Sequence, residues 1–160
     1  MQKFMTFINH GLEKLLMLMM FAIITTVTWQ VFSRFILQSP SSFTEELARY
    51  LLIWIGILGA AYAYRTKAHL GLDILIHKLQ PRATRKVRIL VEILVMIFAL
   101  SILIYGGLNL VMITLELKQT SAALGWQMGY VYSVIPISGS LICLFSVSNI
   151  LNLIKNEGVA

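Results

Sequence analysis

Long runs without a charged residue are the feature that most limits how this chain can fold. The first covers residues 15–33 and the third covers residues 93–115, which are 19 and 23 residues long. A helix of about 20 apolar residues crosses the hydrocarbon core of a membrane, which is about 30 Å thick. Since 58% of the 160 residues are also hydrophobic, we predict an all-α integral membrane protein.

Two further runs need a correction for length. The second, residues 50–64, has 15 residues, which is too short, so its helix is expected to begin near Phe43, where Ser42-x-x-Glu45 is typical of a capping box. The last, residues 119–154, has 36, and its first part, residues 119–132, has an interfacial composition and is predicted to be surface-lying or re-entrant. The prediction is one membrane domain over residues 1–160, with four spans at about 12–35, 43–65, 89–115 and 133–153.

Positively charged residues indicate the orientation. With four spans, ten of the 13 Lys and Arg residues fall on the side that holds both termini and the connection between spans two and three. Because Lys and Arg accumulate on the cytoplasmic side of membrane proteins, both termini are predicted to be cytoplasmic. Within that connection, an apolar helical face predicts a short amphipathic surface helix at about residues 70–80, followed by Pro81 in the first turn of span three.

Several classes of function are disfavoured by what the sequence lacks. The three histidines lie outside the predicted spans, whereas haem in a membrane bundle needs paired histidines on facing helices. The single cysteine, Cys143, lies in an apolar run and is expected to be packing material. The basic residues flank spans, which favours phospholipid over nucleic acid. We predict no catalytic, cofactor or metal site, and no enzyme activity.

Polar residues inside the spans are few. A transporter usually carries ionisable residues deep in its spans, and here the span middles have none. Glu92, one turn inside span three, is expected to pair with Arg88, and a proton relay is the alternative. Tyr105 and Asn109 suit a hydrogen bond between helices better than a substrate site.

Small residues indicate close contact between helices. Gly56, Gly59, Ala60 and Ala63 form overlapping small faces on span two, and Gly106 and Gly107 do the same on span three. The contact is either within the chain or with a partner protein, and the sequence leaves both open.

The start of span two carries a group of charges close to the membrane boundary. Glu45 and Arg49 are four residues apart and can pair along the helix, and Arg34 at the end of span one can join them. Glu46 is expected to point elsewhere and to reach another chain. The alternative is that these residues are ordinary capping charges favoured by the helix dipole.

The same region resembles a known family. The stretch from Ser42 to Tyr50, SFTEELARY, together with its neighbours resembles the small, DctQ-type membrane subunit of tripartite ATP-independent periplasmic (TRAP) transporters. The neighbours that contribute are Arg34, Phe35, Trp54, Arg65, His69 and Asp73. The likeness is densest over residues 30–73, and Phe43 stands where the family often has Trp.

The resemblance implies a division of labour. A periplasmic binding protein would capture an organic acid, with sialic acid the leading guess. A large membrane subunit would move it with sodium, and the small subunit would extend the scaffold of the large one in the bacterial inner membrane. The candidates for contact with a subunit or with lipid are Arg34, Glu45, Glu46, Arg49, Gly56, Gly59, Ala60, Arg65, His69 and Asp73. The alternatives are a small homo-oligomeric proton-coupled exporter, which needs a membrane-embedded carboxylate, and a membrane anchor for a redox enzyme.

Overall fold

The computed structural model describes residues 2–66 and 81–155, with the side chains of 2–4, 81–86 and 155 left out of the description. The predicted surface helix at about residues 70–80, His69 and Asp73 lie outside these residues. The helices are α1 (Gln2–Phe35), α2 (Ser42–Arg65), α3 (Pro81–Phe98), a π-helical stretch (Ala99–Gly106), α4 (Gly107–Glu116), α5 (Met128–Tyr132) and α6 (Val134–Lys155).

Four helical stretches are long and apolar enough to cross a membrane, as predicted. They are span 1 (Met5–Phe35), span 2 (Ser42–Arg65), span 3 (Val87–Glu116) and span 4 (Met128–Ile154). Span 3 consists of most of α3, the π-helical stretch and α4, and span 4 consists of α5 and most of α6. The prediction of an all-α membrane protein with four spans is confirmed.

Spans 2 and 4 lie at the centre of the bundle. Span 1 packs along span 2, span 2 packs against span 4, and span 4 packs against span 3. Leu58 of span 2 is buried together with Val134 and Phe145 of span 4, and Ala61 is buried with Ala99 of span 3. Spans 1 and 3 therefore flank the central pair and leave large apolar faces open.

The ends of spans 1 and 2 differ from the predicted positions. Span 1 begins at Met5, before the predicted start at residue 12, and the 34 residues of α1 make a helix about 51 Å long, longer than the hydrocarbon core. At the start of span 2, the N-cap is Ser41, whose hydroxyl accepts a hydrogen bond from the Thr44 amide at 3.4 Å. The capping box predicted at Ser42 was therefore placed one residue too late.

The segment of residues 119–132 divides into two parts. A loop with Thr120 paired to Gln127 comes first, and α5 then begins at Met128 and leads through Ser133 into α6. Because α5 continues into α6, span 4 begins five residues before the predicted start at 133. The predicted surface or re-entrant segment thus consists of this loop and α5, and α5 also forms the first turn of the apolar stretch that makes up span 4.

Glycines set the distance between spans 3 and 4. A Cβ atom on Gly139 would lie 2.7 Å from the Cβ of Leu103, and one on Gly107 would lie 2.9 Å from the Cδ of Pro136. Real Cβ atoms do not make contacts this short. The two helices can therefore approach each other this closely only because glycine has no side chain. The π-helical stretch lies at this contact.

Candidate subunit interface

The carboxylate of Glu46 binds the loop that precedes span 4. It accepts hydrogen bonds from three consecutive backbone amides, those of Ala122 at 3.2 Å, Ala123 at 2.7 Å and Leu124 at 2.8 Å. The hydroxyl of Tyr50, one turn further along α2, donates a fourth at 2.6 Å. Successive backbone amides that converge on one anion form a nest, and here a carboxylate of the same chain occupies it.

This arrangement differs from the expectation that Glu46 reaches another chain. All four donors belong to the same chain, so the carboxylate fixes the loop of residues 119–127 to the first turns of α2. The contact joins residues 76 to 78 positions apart in sequence. It also shows that this loop lies at the same end of the bundle as the turn between spans 1 and 2.

Glu45 and Arg49 form an ion pair on a different side of the first turns of α2 from Glu46. The Arg49 Nη2 and Glu45 Oε1 atoms are 3.3 Å apart, as the i, i+4 spacing predicts, with 66% and 58% of the two side chains exposed. In water, a pair with this exposure is worth about 0.3–0.5 kcal/mol. Arg34 is exposed as well and forms no ion pair with the described residues.

The ion pair marks the beginning of an open face on α2. Residues three and four apart along one side of the helix form this face, which we call the open face of α2: Glu45, Arg49, Leu52, Gly56, Gly59, Ala60 and Ala63. Leu52 is 63% exposed, and Gly56 and Ala60 are exposed as well. A Cβ atom on Gly56 or Gly59 would meet nothing within 4 Å. The predicted small face therefore has no partner within the described part of the chain.

Another side of α2 is occupied by span 4. The indole of Trp54 donates to the carbonyl of Val131 at 3.0 Å, and the hydroxyl of Ser138 donates to the carbonyl of Ile57 at 2.9 Å. These bonds belong to the side of α2 that also carries Glu46 and Tyr50. Because span 1 packs on a third side, the open face of α2 is the side left for a partner.

A polar cluster joins three spans at the other end of the bundle. The carboxylate of Glu92 accepts hydrogen bonds from the hydroxyl of Tyr64 and, at 3.0 Å, from the side-chain amide of Asn149. The hydroxyl of Ser146 donates to the Glu92 carbonyl at 2.9 Å. Glu92 thus links spans 2, 3 and 4, and the expected pair with Arg88 is not formed in the described residues.

Two further predicted features have plain structural roles. The guanidinium carbon of Arg65 lies 5.7 Å from the centre of the Phe145 ring, a distance at which a cation is attracted to the ring face. Cys143 is a free, half-buried thiol. Within the described residues, no group of three or more His, Cys, Asp or Glu side chains could hold a metal ion.

Comparison with known proteins identifies one family. Residues 23–156 match the family described as tripartite ATP-independent periplasmic transporters, DctQ component. A protein of Haemophilus influenzae, provisionally named a TRAP transporter small permease protein, is 28% identical over 148 residues, which is 92% of this chain and 90% of that relative.

Two more relatives carry names with a substrate. The sialic acid TRAP transporter small permease protein SiaQ of Vibrio cholerae is 30% identical over 99 residues, 62% of this chain and 57% of that protein. The isethionate TRAP transporter permease protein DctMQ of Oleidesulfovibrio alaskensis is 28% identical over 147 residues. That match covers 88% of this chain but only 23% of the relative, so the chain spans about a quarter of the longer permease.

Proposed function

The chain belongs to the DctQ component family of TRAP transporters, and we propose that it is the small scaffold subunit that binds the large membrane subunit and supports its uptake of substrate. It is a multi-pass protein of the bacterial inner membrane and a small permease subunit rather than an enzyme. The large subunit would take up an organic acid together with sodium, and a periplasmic binding protein would deliver the acid.

The open face of α2 is the observation that supports this proposal. Gly56, Gly59 and Ala60 allow another helix backbone to approach closely, and the spans of this chain leave that surface uncovered. In the isethionate relative, which is about four times as long as the matched region, the remainder of the chain can supply the large subunit. We propose that a helix of the large subunit covers the open face of α2, with Glu45, Arg49 and Arg34 at its outer edge.

The interior of the bundle supports a scaffold role rather than independent transport. Within four residues of their middles the four spans carry no charged side chain, whereas a carrier usually places its ion or proton site there. Glu92, the carboxylate that a proton-coupled exporter would need, is held by Tyr64 and Asn149 of neighbouring spans. Proteoliposomes that contain only this chain are therefore expected to show no sodium-dependent uptake of an organic acid.

The partners on the two sides of the membrane follow from the orientation predicted by charge. The loop held by Glu46 then faces the periplasm and presents Trp126, which is 53% exposed, where a binding protein can contact it. The basic connection between spans 2 and 3 faces cytoplasmic phospholipid. Arg65, His69 and Asp73 would fix the angle at which span 2 leaves the membrane, and Asp73→Ala should lower assembly more than Lys67→Ala does.

The proposed interface can be tested by adding bulk to the open face of α2. A tagged chain with Gly56→Leu and Ala60→Leu, co-expressed with the large subunit of the same system, should lose the large subunit during detergent purification. Gly11→Leu is the matched control, because Gly11 is exposed on α1 and also has open space around it. Full retention of the large subunit by the double variant would show that this face is not the interface.

The substrate requires a separate experiment. Sialic acid is the first candidate, because the Vibrio cholerae relative is named for it, and the name of the isethionate relative shows that the substrate varies among relatives. Cells lacking this chain should lose uptake of the true substrate and regain it with the parent chain. Labelled sialic acid, a C4-dicarboxylate and isethionate should be compared in sodium and in potassium buffer. If cells lacking this chain take up all three acids as well as cells with the parent chain, the proposed substrate class is wrong.

A further inference from the structure

Span 3 carries two polar side chains on its outward surface, deep within the bilayer. Tyr105 is 71% exposed, and Asn109 is exposed as well. Span 3 covers Val87–Glu116, so its middle is near Ser101. At about 1.5 Å per residue, Tyr105 is about 5 Å and Asn109 about 11 Å from that middle. Both lie inside the hydrocarbon core, which extends about 15 Å to each side.

Neither side chain has a hydrogen-bond partner among the described residues. Ser101, one turn before Tyr105 on the same surface, donates its hydroxyl to the Ile97 carbonyl of its own helix at 2.7 Å. The phenol of Tyr105 and the amide of Asn109 make no comparable bond to the described residues. Lipid chains offer no donor or acceptor, so a hydroxyl and an amide facing them would lose the hydrogen bonds that water provides.

The backbone beside these side chains allows a close approach. Gly106 is exposed, and a Cβ atom placed on it would meet only Ser101 O, at 3.8 Å. The next residue, Gly107, is buried against Ile135 and Pro136 of span 4. The two neighbouring glycines thus lie on different sides of span 3. A small residue next to hydrogen-bonding side chains is the usual composition of a contact between membrane helices.

We propose that a membrane-spanning helix of the large permease subunit binds the polar face of span 3, which is the surface formed by Ser101, Tyr105, Gly106 and Asn109. This inference rests on the proposed function for the existence of that subunit. The occupant lies at bilayer depth, where the periplasmic binding protein cannot reach. It offers a hydrogen-bonding side chain or a backbone carbonyl opposite Tyr105 and Asn109. The contact is additional to the open face of α2, because it is on a different span.

The first test removes the polar atoms while keeping the size of the side chains. Tyr105→Phe and Asn109→Leu are introduced singly and together into the tagged chain, which is co-expressed with the large subunit, and the affinity of the two subunits is measured in detergent. A hydrogen bond between membrane helices commonly changes affinity about threefold, so we expect about a threefold loss for each variant and roughly a tenfold loss for both. Thr25→Val is the matched control and should retain the parent affinity, because exposed Thr25 lies on span 1, outside the polar face of span 3, and its hydroxyl already donates to the Phe21 carbonyl of its own helix at 2.9 Å.

The second test identifies the occupant directly. Tyr105→Cys, in a background with Cys143→Ser, is labelled at its thiol with benzophenone maleimide in membranes that contain both subunits, and irradiation then joins the benzophenone to a C–H bond of whichever chain lies against it. A product with the mass of the small plus the large subunit supports the proposal. A product with twice the mass of this chain would overturn it in favour of a second copy. Unchanged affinity in the first test would overturn it in favour of a surface that faces lipid.

The two proposals fail in different ways. If the parent chain does not retain the large subunit, the proposed function is wrong and this inference has no partner. If the parent chain retains it and the Tyr105→Phe, Asn109→Leu variant retains it equally well, only the role of the polar face of span 3 is wrong.

Discussion

Substitution of Glu92 separates a structural role of this carboxylate from proton transport. Its oxygens accept from the Tyr64 hydroxyl and the Asn149 amide, which belong to different spans. In Glu92→Gln, the amide oxygen can still accept from Asn149, and the amide nitrogen can donate to the Tyr64 oxygen, because a phenol also accepts hydrogen bonds. In Glu92→Leu, both neighbours lose their partner.

The expected magnitudes follow from those bonds. Hydrogen bonds between membrane helices average about 0.6 kcal/mol each and reach about 1.7 kcal/mol. The loss of two should therefore destabilise Glu92→Leu by about 1–3 kcal/mol. For a chain of 160 residues, each kcal/mol lowers the melting temperature by about 2–4 °C. Glu92→Gln should stay within about 1 kcal/mol of the parent chain.

The assay is thermal unfolding of the purified chain in detergent, combined with substrate uptake by cells that express the complete transporter. Glu116→Leu is the control, because Glu116 is an exposed carboxylate at the end of the same span, and it should unfold like the parent chain. Glu92→Gln should also sustain uptake. A Glu92→Gln variant that melts at the parent temperature but abolishes uptake would refute the structural role and favour a carboxylate that carries protons. A Glu92→Leu variant with an unchanged melting temperature would refute the role of the cluster in stability.

Three further predictions follow from other contacts. Gly139→Ala should destabilise the chain by about 1–3 kcal/mol in detergent unfolding, because the new Cβ would clash with Leu103. The control, Gly59→Ala on the open face of α2, should not destabilise it. Equal effects of the two substitutions would contradict the close packing of spans 3 and 4. Glu46→Ala should release the loop that precedes span 4 and speed hydrogen exchange at the Ala123 amide. Glu45→Ala is the control. An unchanged exchange rate in Glu46→Ala would show that the carboxylate does not hold the loop. Cytoplasmic termini can be tested with single cysteines in a chain lacking Cys143, treated with an impermeant thiol reagent on intact cells. Cysteines at Gln2 and Thr84 should resist the reagent, and those at Ser41 and Gln119 should react. The reverse pattern would contradict cytoplasmic termini.

Features that depend on neighbouring residues in the sequence were predicted well. The ion pair of Glu45 and Arg49 follows from i, i+4 spacing on a helix. The number of spans follows from length and apolar composition, because a bilayer admits only helices of sufficient length. Each of these depends on local geometry and on the solvent, so the sequence alone determines it.

Features that join distant residues required the tertiary structure. The backbone amides bound by Glu46 lie more than 70 residues away, and the partners of Glu92 lie 28 and 57 residues away. Sequence reasoning therefore assigned Glu46 to another chain and Glu92 to Arg88. One usable signal was overlooked: Glu46, Tyr50 and Trp54 are spaced four apart, so these polar side chains share one side of α2, the side that packs on span 4.

The glycines illustrate the limit of the sequence most clearly. Gly56 and Gly59 are open, while Gly107 and Gly139 are at contacts where no side chain fits, although all four lie in apolar spans. In water, a buried face is marked by its hydrophobic residues. In a bilayer the outward face is also apolar, so hydrophobicity no longer distinguishes the inside of the bundle from the outside. The sequence alone thus determined that this chain crosses the membrane four times, and only the packing of the spans decided which small and polar residues remain free for a partner.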